Sequence, residues 1–242
     1  MKIMLDAGHG YKTPGKRSPD GFQEYEFNRS VANQAKKLLL ESYKDVKVYF
    51  AHSDKKDVSL KERTDKANRL DVDLYIAIHA NAQGAGGWTS ARGIETYIHP
   101  SKPKIASALA KRVQKNLVIA TGLTDRGVKT SDFHVLRETK AEAILIECGF
   151  MTNREELKLL RSETFQKTCA EAIVKSIQEQ FKLVKITPAT KSSSQPKSTK
   201  PTPSKPTNEK IYRVQIGAFK DRKKAEQLME KLKKEGYDAI IN

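Results

Sequence analysis

Three stretches of the chain are almost continuously apolar: Ile3-Met4-Leu5, Leu74-Tyr75-Ile76-Ala77-Ile78 and Ala143-Ile144-Leu145-Ile146. Runs of this kind, without polar alternation, mark strands covered on both faces, as in the middle of a parallel sheet. The pattern predicts strands at Lys2–Asp6, Val46–Ala51, Leu74–His79, Ile94–Ile98 and Ala143–Glu147. Helical periodicity falls between them, at Tyr25–Ser42, Lys104–Thr121, Asn153–Leu160 and Glu163–Leu183. A further helix opens at the capping-box signature Ser59-Leu-Lys-Glu62 and runs to about Leu70. Strand alternating with helix predicts an α/β fold of three layers, a mostly parallel sheet with helices on both faces.

The pattern breaks once. From Thr187 to Asn208, 19 of 22 residues are Ser, Thr, Pro or Lys, a composition with nothing to bury. The expected organisation is therefore a large unit over 1–183, a disordered linker over 184–210 and a short unit over 211–242. In that last unit Ile211–Phe219 alternates like a strand. Ala225, Leu228, Met229 and Leu232 then follow at helical spacing within Lys223–Glu235, and Tyr237–Ile241 restarts a strand, predicting a small β-α-β unit.

Charge changes the picture modestly. The 242 residues carry 45 Lys and Arg against 29 Asp and Glu, a net charge of +16, most concentrated in the linker. A polyanionic partner such as an acidic wall polymer fits this balance. No nucleic-acid-binding motif accompanies it, so no nucleic acid is expected as partner. No stretch approaches the roughly 20 apolar residues of a membrane span. The opening residues Met1–Asp6 lack a basic segment followed by a long apolar run, so the expectation is synthesis in the cytoplasm without a signal peptide. Two cysteines exclude a disulfide-rich scaffold.

The chemistry lies where the apolar runs stop. The first leads into Asp6-Ala-Gly-His9-Gly, the second into His79-Ala-Asn81 and the third into Glu147-Cys-Gly149. Ligands of open α/β sheets bind outside the carboxyl ends of the strands, so two histidines and a glutamate are expected to face one crevice. Imidazole with carboxylate suits zinc, which in catalytic sites keeps three protein ligands and one open position. Bound zinc lowers the pKa of water from about 15.7 to near 7. A third ligand is required, and Glu24 and Glu26 at the start of the first long helix are the candidates. They sit two residues apart, roughly 200° around a helix, so at most one of them faces the metal, and spacing does not choose.

The motifs Asp6-Ala-Gly-His-Gly10, Gly21-Phe-Gln-Glu-Tyr25, Ser59-Leu-Lys-Glu-Arg63 with Ala67-Asn68, Ile78-His-Ala-Asn-Ala82, Gly93-Ile-Glu-Thr-Tyr97 and Ile144-Leu-Ile-Glu-Cys-Gly-Phe150 occur in this order. Together the stretch 1–182 resembles the type-3 family of zinc-dependent N-acetylmuramoyl-L-alanine amidases. The resemblance implies one Zn2+ in the catalytic domain, held by His9, Glu24 and His79, with Glu147 as the catalytic carboxylate. It implies hydrolysis of the amide joining the lactyl group of N-acetylmuramic acid to L-alanine in peptidoglycan. The other readings are a non-catalytic peptidoglycan-binding protein of the same fold, and a zinc peptidase or deacetylase acting on the same polymer. Candidate substrate contacts are Asn81 and, in the Gly-rich segment Gln83–Arg92, Trp88 and Arg92. Glu26 is expected to be a solvated charge, His52, His99 and His134 to be ordinary residues, and Cys148 and Cys169 to be structural.

The tail, with Val214-Gln-Ile-Gly-Ala-Phe219, resembles the opening half of a sporulation-related (SPOR) repeat, a glycan-binding module. A 32-residue unit has little core, and pairing with a second copy is one way to complete it. The resemblance places the protein with endolysins or sporulation-type autolysins, acting on the wall after lysis or release from a mother cell.

Overall fold

The computed structural model describes residues 1–13, 15–186 and 226–230. The chain divides into two units, Met1–Ala189 and Thr190–Asn242. Of the second unit, residues 226–230 are helical, inside the span expected to be a helix. The expected linker beyond residue 186 and the two flanking strands of the β-α-β unit lie outside the described residues. No helix among the described residues is long and apolar enough to cross a membrane.

The first unit is built on a six-stranded sheet. Its strands are β1 (Lys2–Ala7), β2 (Lys47–Phe50), β3 (Leu74–Asn81), β4 (Ile94–Ile98), β5 (Asp125–Thr130) and β6 (Glu142–Phe150), in the order β2-β1-β3-β6-β4-β5. Every neighbouring pair is parallel except β4 with β6. The predicted α/β architecture is thus observed, with one antiparallel step near an edge.

Alternation along the central strands splits the core in two. Ile3, Leu5, Leu74, Ile76, Ile78, Ile144, Ile146 and Cys148 point to a face covered by α1 (Glu24–Ser42), α3 (Lys104–Thr121) and α6 (Glu163–Phe181). Met4, Tyr75, Ala77, Ala143 and Leu145 point to the opposite face, covered by α2 (Leu60–Leu70) and α4 (His134–Arg137). The same alternation carries Asp6, His79 and Glu147 to this second, thinner side. The remaining helix, α5 (Arg154–Leu160), is capped by Asn153, whose side chain accepts the N–H groups of Glu155 and Glu156.

Two features of the sheet differ from expectation. Glu147 is not the last residue of its strand, because β6 continues to Phe150, and β3 likewise runs past His79 to Asn81. The β3–β6 register shifts between His79 and Asn81, an irregularity that re-aims side chains at the end of the ladder.

Candidate metal centre

His9 follows β1 in a turn where its own backbone is left-handed, at φ +72°. For a residue with a Cβ this conformation costs about 1–2 kcal/mol. The His9 carbonyl accepts from Nη2 of Arg63, and hydrogen bonds to charged groups contribute about 1.5–3 kcal/mol. The neighbouring Gly8 leaves room for the imidazole of His79, since a Cβ there would lie 2.0 Å from His79 Cε1. Glycine at 15 serves the same end: its φ is +82°, and a Cβ would lie 2.6 Å from Glu24 Oε2.

Glu24 is the first residue of α1, so its side chain reaches over the carboxyl end of the sheet, and it is only 3% exposed. Its Oε1 lies 2.8 Å from His79 Nδ1, and its Oε2 lies 3.2 Å from His9 Nε2. The Lys16 N–H donates to Oε2 at 3.1 Å, and Asn28 Nδ2 bridges Oε1 and the Gly8 carbonyl at 3.3 and 3.1 Å. Burial works to raise the Glu24 carboxyl, and the hydrogen bonds and charges of His79 and His9 outweigh it, leaving it well below the usual carboxylate range. Glu26 is exposed on the far side of the helix, so of the two glutamates it is Glu24 that meets the histidines.

Among the described residues, His9, Glu24 and His79 form a group whose ligand atoms all lie within 4.8 Å of one another. A carboxylate between two imidazoles is a donor set that zinc accepts. The residues fit the ion.

Glu147 is the parallel register partner of His79, and Glu95 on β4 is the antiparallel partner of Glu147. The three side chains form a row across β3, β6 and β4. Glu147 Oε2 is buried without a hydrogen-bond partner among the described residues. Burial first, and the nearby charge of Glu24 second, push its carboxyl well above the usual range. Glu95 is buried too, but it accepts from Asn81 Nδ2, Tyr97 Oη and Arg126 Nε, each at 2.7 Å, and from Lys129 Nζ. Burial opposes its ionisation, and Arg126, Lys129 and Tyr97 overcome that and hold its carboxyl low. Neighbouring glutamates are thus driven in opposite directions by their surroundings.

A cleft of about 530 Å³ opens over the group. His9, Glu24, His79, Asn81 and Glu147 line it, with an apolar wall of Val58, Leu60, Phe133, Val135 and Leu145. The other two candidate contacts are elsewhere. Trp88 packs half-buried against the larger core cluster with the Arg154 guanidinium 4.2 Å from its ring. Arg92 lines a separate hollow of about 260 Å³ with Asn153, Glu155 and Glu156. His52 and His99 lie outside the cleft, and His134 lines it with Nε2 3.4 Å from Thr64 Oγ1. Cys148 and Cys169 are buried free thiols.

Sequence reasoning missed Arg63, Tyr75 and Glu95. Arg63 was signalled by its place on the inward stripe of α2 beside Thr64 and Ala67, since an arginine there requires a buried partner.

The family model described as N-acetylmuramoyl-L-alanine amidase matches residues 3–179. This chain belongs to that amidase family. A SPOR domain model matches residues 189–241, a span that takes in much of the Ser/Thr/Pro/Lys-rich segment as well as the tail. The amidase CwlM of Bacillus licheniformis is 31% identical over 241 residues, covering 100% of this chain and 84% of that protein. The sporulation-specific N-acetylmuramoyl-L-alanine amidase of Bacillus subtilis is 30% identical over the same length and coverage. The crystal structure of an N-acetylmuramoyl-L-alanine amidase from Clostridium difficile 630 superimposes with a TM-score of 0.71 at 33% identity, covering 75% of this chain and 96% of that one. The six motifs thus identified the family, and the tail motif the SPOR domain.

Proposed function

We propose that this family member cleaves the amide between the lactyl group of N-acetylmuramic acid and L-alanine in peptidoglycan, with Zn2+ held by His9, Glu24 and His79 and with Glu147 handling the proton. The observation that carries this reading is the convergence of those three ligand atoms within 4.8 Å beside a buried carboxylate oxygen, Glu147 Oε2, that has no partner among the described residues. Zinc bound there supplies Lewis-acid polarisation of a carbonyl and makes hydroxide accessible near neutral pH. Lys16 N–H and Asn28 Nδ2 hold the Glu24 carboxylate, which fixes its orientation before substrate arrives. Glu147 accepts a proton from the attacking water and returns it to the departing alanine amine. The apolar wall from Val58 to Leu145 thins the water around the scissile bond. Asn81, tied to Glu95, offers substrate an amide whose orientation is already set. The SPOR-matched segment supports a second contact, with glycan strands, that keeps the catalytic unit on its polymer.

Two experiments test this. Glu147→Gln lowers turnover by about two to four orders of magnitude, the usual worth of positioned acid–base catalysis, while zinc stays near one per chain. Loss of zinc in that variant makes Glu147 a ligand instead. Digestion of purified peptidoglycan yields new alanine amino termini on released stem peptides and leaves the glycan chains intact. A different new terminus means a peptidase or deacetylase, and no new terminus means a binding protein.

A further inference from the structure

We infer that Arg63 is a positioning residue for the metal centre: its guanidinium holds His9 in the left-handed turn that aims the imidazole at Glu24 and His79. The inference rests on the zinc reading above. Arg63 is 3% exposed and comes from α2, on the opposite side of the sheet from α1. All three nitrogens of its fork are aimed at the segment leading into His9 or at its own helix entry. Nη1 donates to Asp6 Oδ1 at 2.5 Å and to the Ala7 carbonyl at 2.8 Å, Nη2 donates to the His9 carbonyl, and Nε donates to the Val58 carbonyl at 2.9 Å. Asp6 is in turn held by Tyr75 Oη at 2.6 Å. The charge of the guanidinium is matched by Asp6, so the group is not a free cation awaiting an anion. Its geometry instead clamps three points, Asp6 and Ala7 at the end of β1 and His9 in the turn that follows. Without the clamp the His9 backbone is free to relax to a negative φ, and its imidazole then leaves the other two ligands.

A lysine keeps the charge but cannot reproduce a planar fork. Zinc affinity of the full chain, read by competition with a chromophoric chelator, is expected to fall about ten- to a hundredfold in Arg63→Lys, the range seen when outer-shell partners of a metal site are lost. The visible absorption spectrum of the Co2+-substituted protein shifts with it, because one ligand is misplaced. Tyr75→Phe removes a hydrogen bond to the same Asp6 without touching His9, and keeps zinc affinity within about threefold. Unchanged affinity and an unchanged cobalt spectrum in Arg63→Lys overturn the inference, as does an equal loss in both variants, which is general bracing. If Arg63→Lys does not fold, Asp6→Asn withdraws the charge that aims the guanidinium. A several-fold loss of affinity then supports the inference and none overturns it. Failure of the unsubstituted chain to bind zinc in the same titration overturns the metal reading on which the inference rests, an outcome distinct from unchanged affinity in Arg63→Lys.

Discussion

At the residue scale, the site depends on what is missing as much as on what is present. Gly8 has no Cβ, and adding one places it 2.0 Å from the His79 ring. Gly8→Ala is expected to displace that imidazole, lowering stability by about 1–3 kcal/mol and weakening zinc binding, as read by thermal melting and chelator competition. His52 tests a different quantity. Its Nδ1 accepts the Ala7 N–H at 3.0 Å, so it is neutral in the fold. Burial, with Arg63 and Arg29 adding and Asp6 and Asp54 opposing, brings its pKa down to about 4. The unfolded chain binds this proton first, near pH 6.5, so stability is full above that pH and falls until about pH 4. Metal-free protein is expected to lose about 2 kcal/mol from this group by pH 5, a slope that His52→Asn removes in parallel melts. His9, His79 and Glu147 were legible because each ends or nearly ends an apolar run. Glu24 needed the family motif to separate it from Glu26, since spacing alone permits either. The Asp6–Arg63 pair was not legible, because the two residues are 57 positions apart and only folding brings them together.

At the element scale, local signals decided most of the architecture. The capping box at Ser59 forms as expected, with the side chain accepting the Glu62 N–H and the Glu62 carboxylate accepting the Ser59 N–H and hydroxyl. That cap begins the helix that delivers Arg63, so Ser59→Ala is expected to cost about 1 kcal/mol. For a chain of this size that lowers Tm by about 2–4 °C. The helix predicted to end at Leu183 ends at Phe181, because Lys182 turns left-handed at φ +52°. Two elements were missed. Strand β5, with sequence Asp-Arg-Gly-Val-Lys-Thr, lies at a sheet edge and buries none of its residues fully, so it has no apolar alternation to read. Helix α4 is four residues long, too short for a period of 3.6 to show. Both nonetheless bear on the site, for Arg126 and Lys129 of β5 hold Glu95, and α4 supplies part of the cleft wall.

At the scale of the whole molecule, the proposed attachment to the polymer and catalysis are expected to respond differently to salt. The chain carries a net charge of +16. Around the cleft the carboxylates of Asp6, Glu24 and Glu95 are buried and matched: Glu24 with two histidines, Asp6 with Arg63, and Glu95 with the partly exposed Arg126 and Lys129. Exposed charges feel salt through a screening length of about 10 Å at 0.1 M and about 3 Å at 1 M, whereas buried pairs are screened far less. If the excess of lysine serves to hold the protein on acidic wall polymers, the two properties respond differently to ionic strength. Raising NaCl from about 0.05 M to about 0.5 M is expected to reduce several-fold the fraction of full chain that sediments with isolated cell walls. Over the same range, kcat/KM on a small muramoyl-L-alanine amide changes by less than about twofold, because that substrate engages only the cleft. Salt-independent sedimentation means that attachment is carried by neutral glycan contacts such as those expected of the SPOR-matched segment, and the positive charge is then a matter of solubility. Parallel losses in both assays mean instead that exposed lysines act on the substrate inside the cleft, where Lys16 is the residue to substitute first.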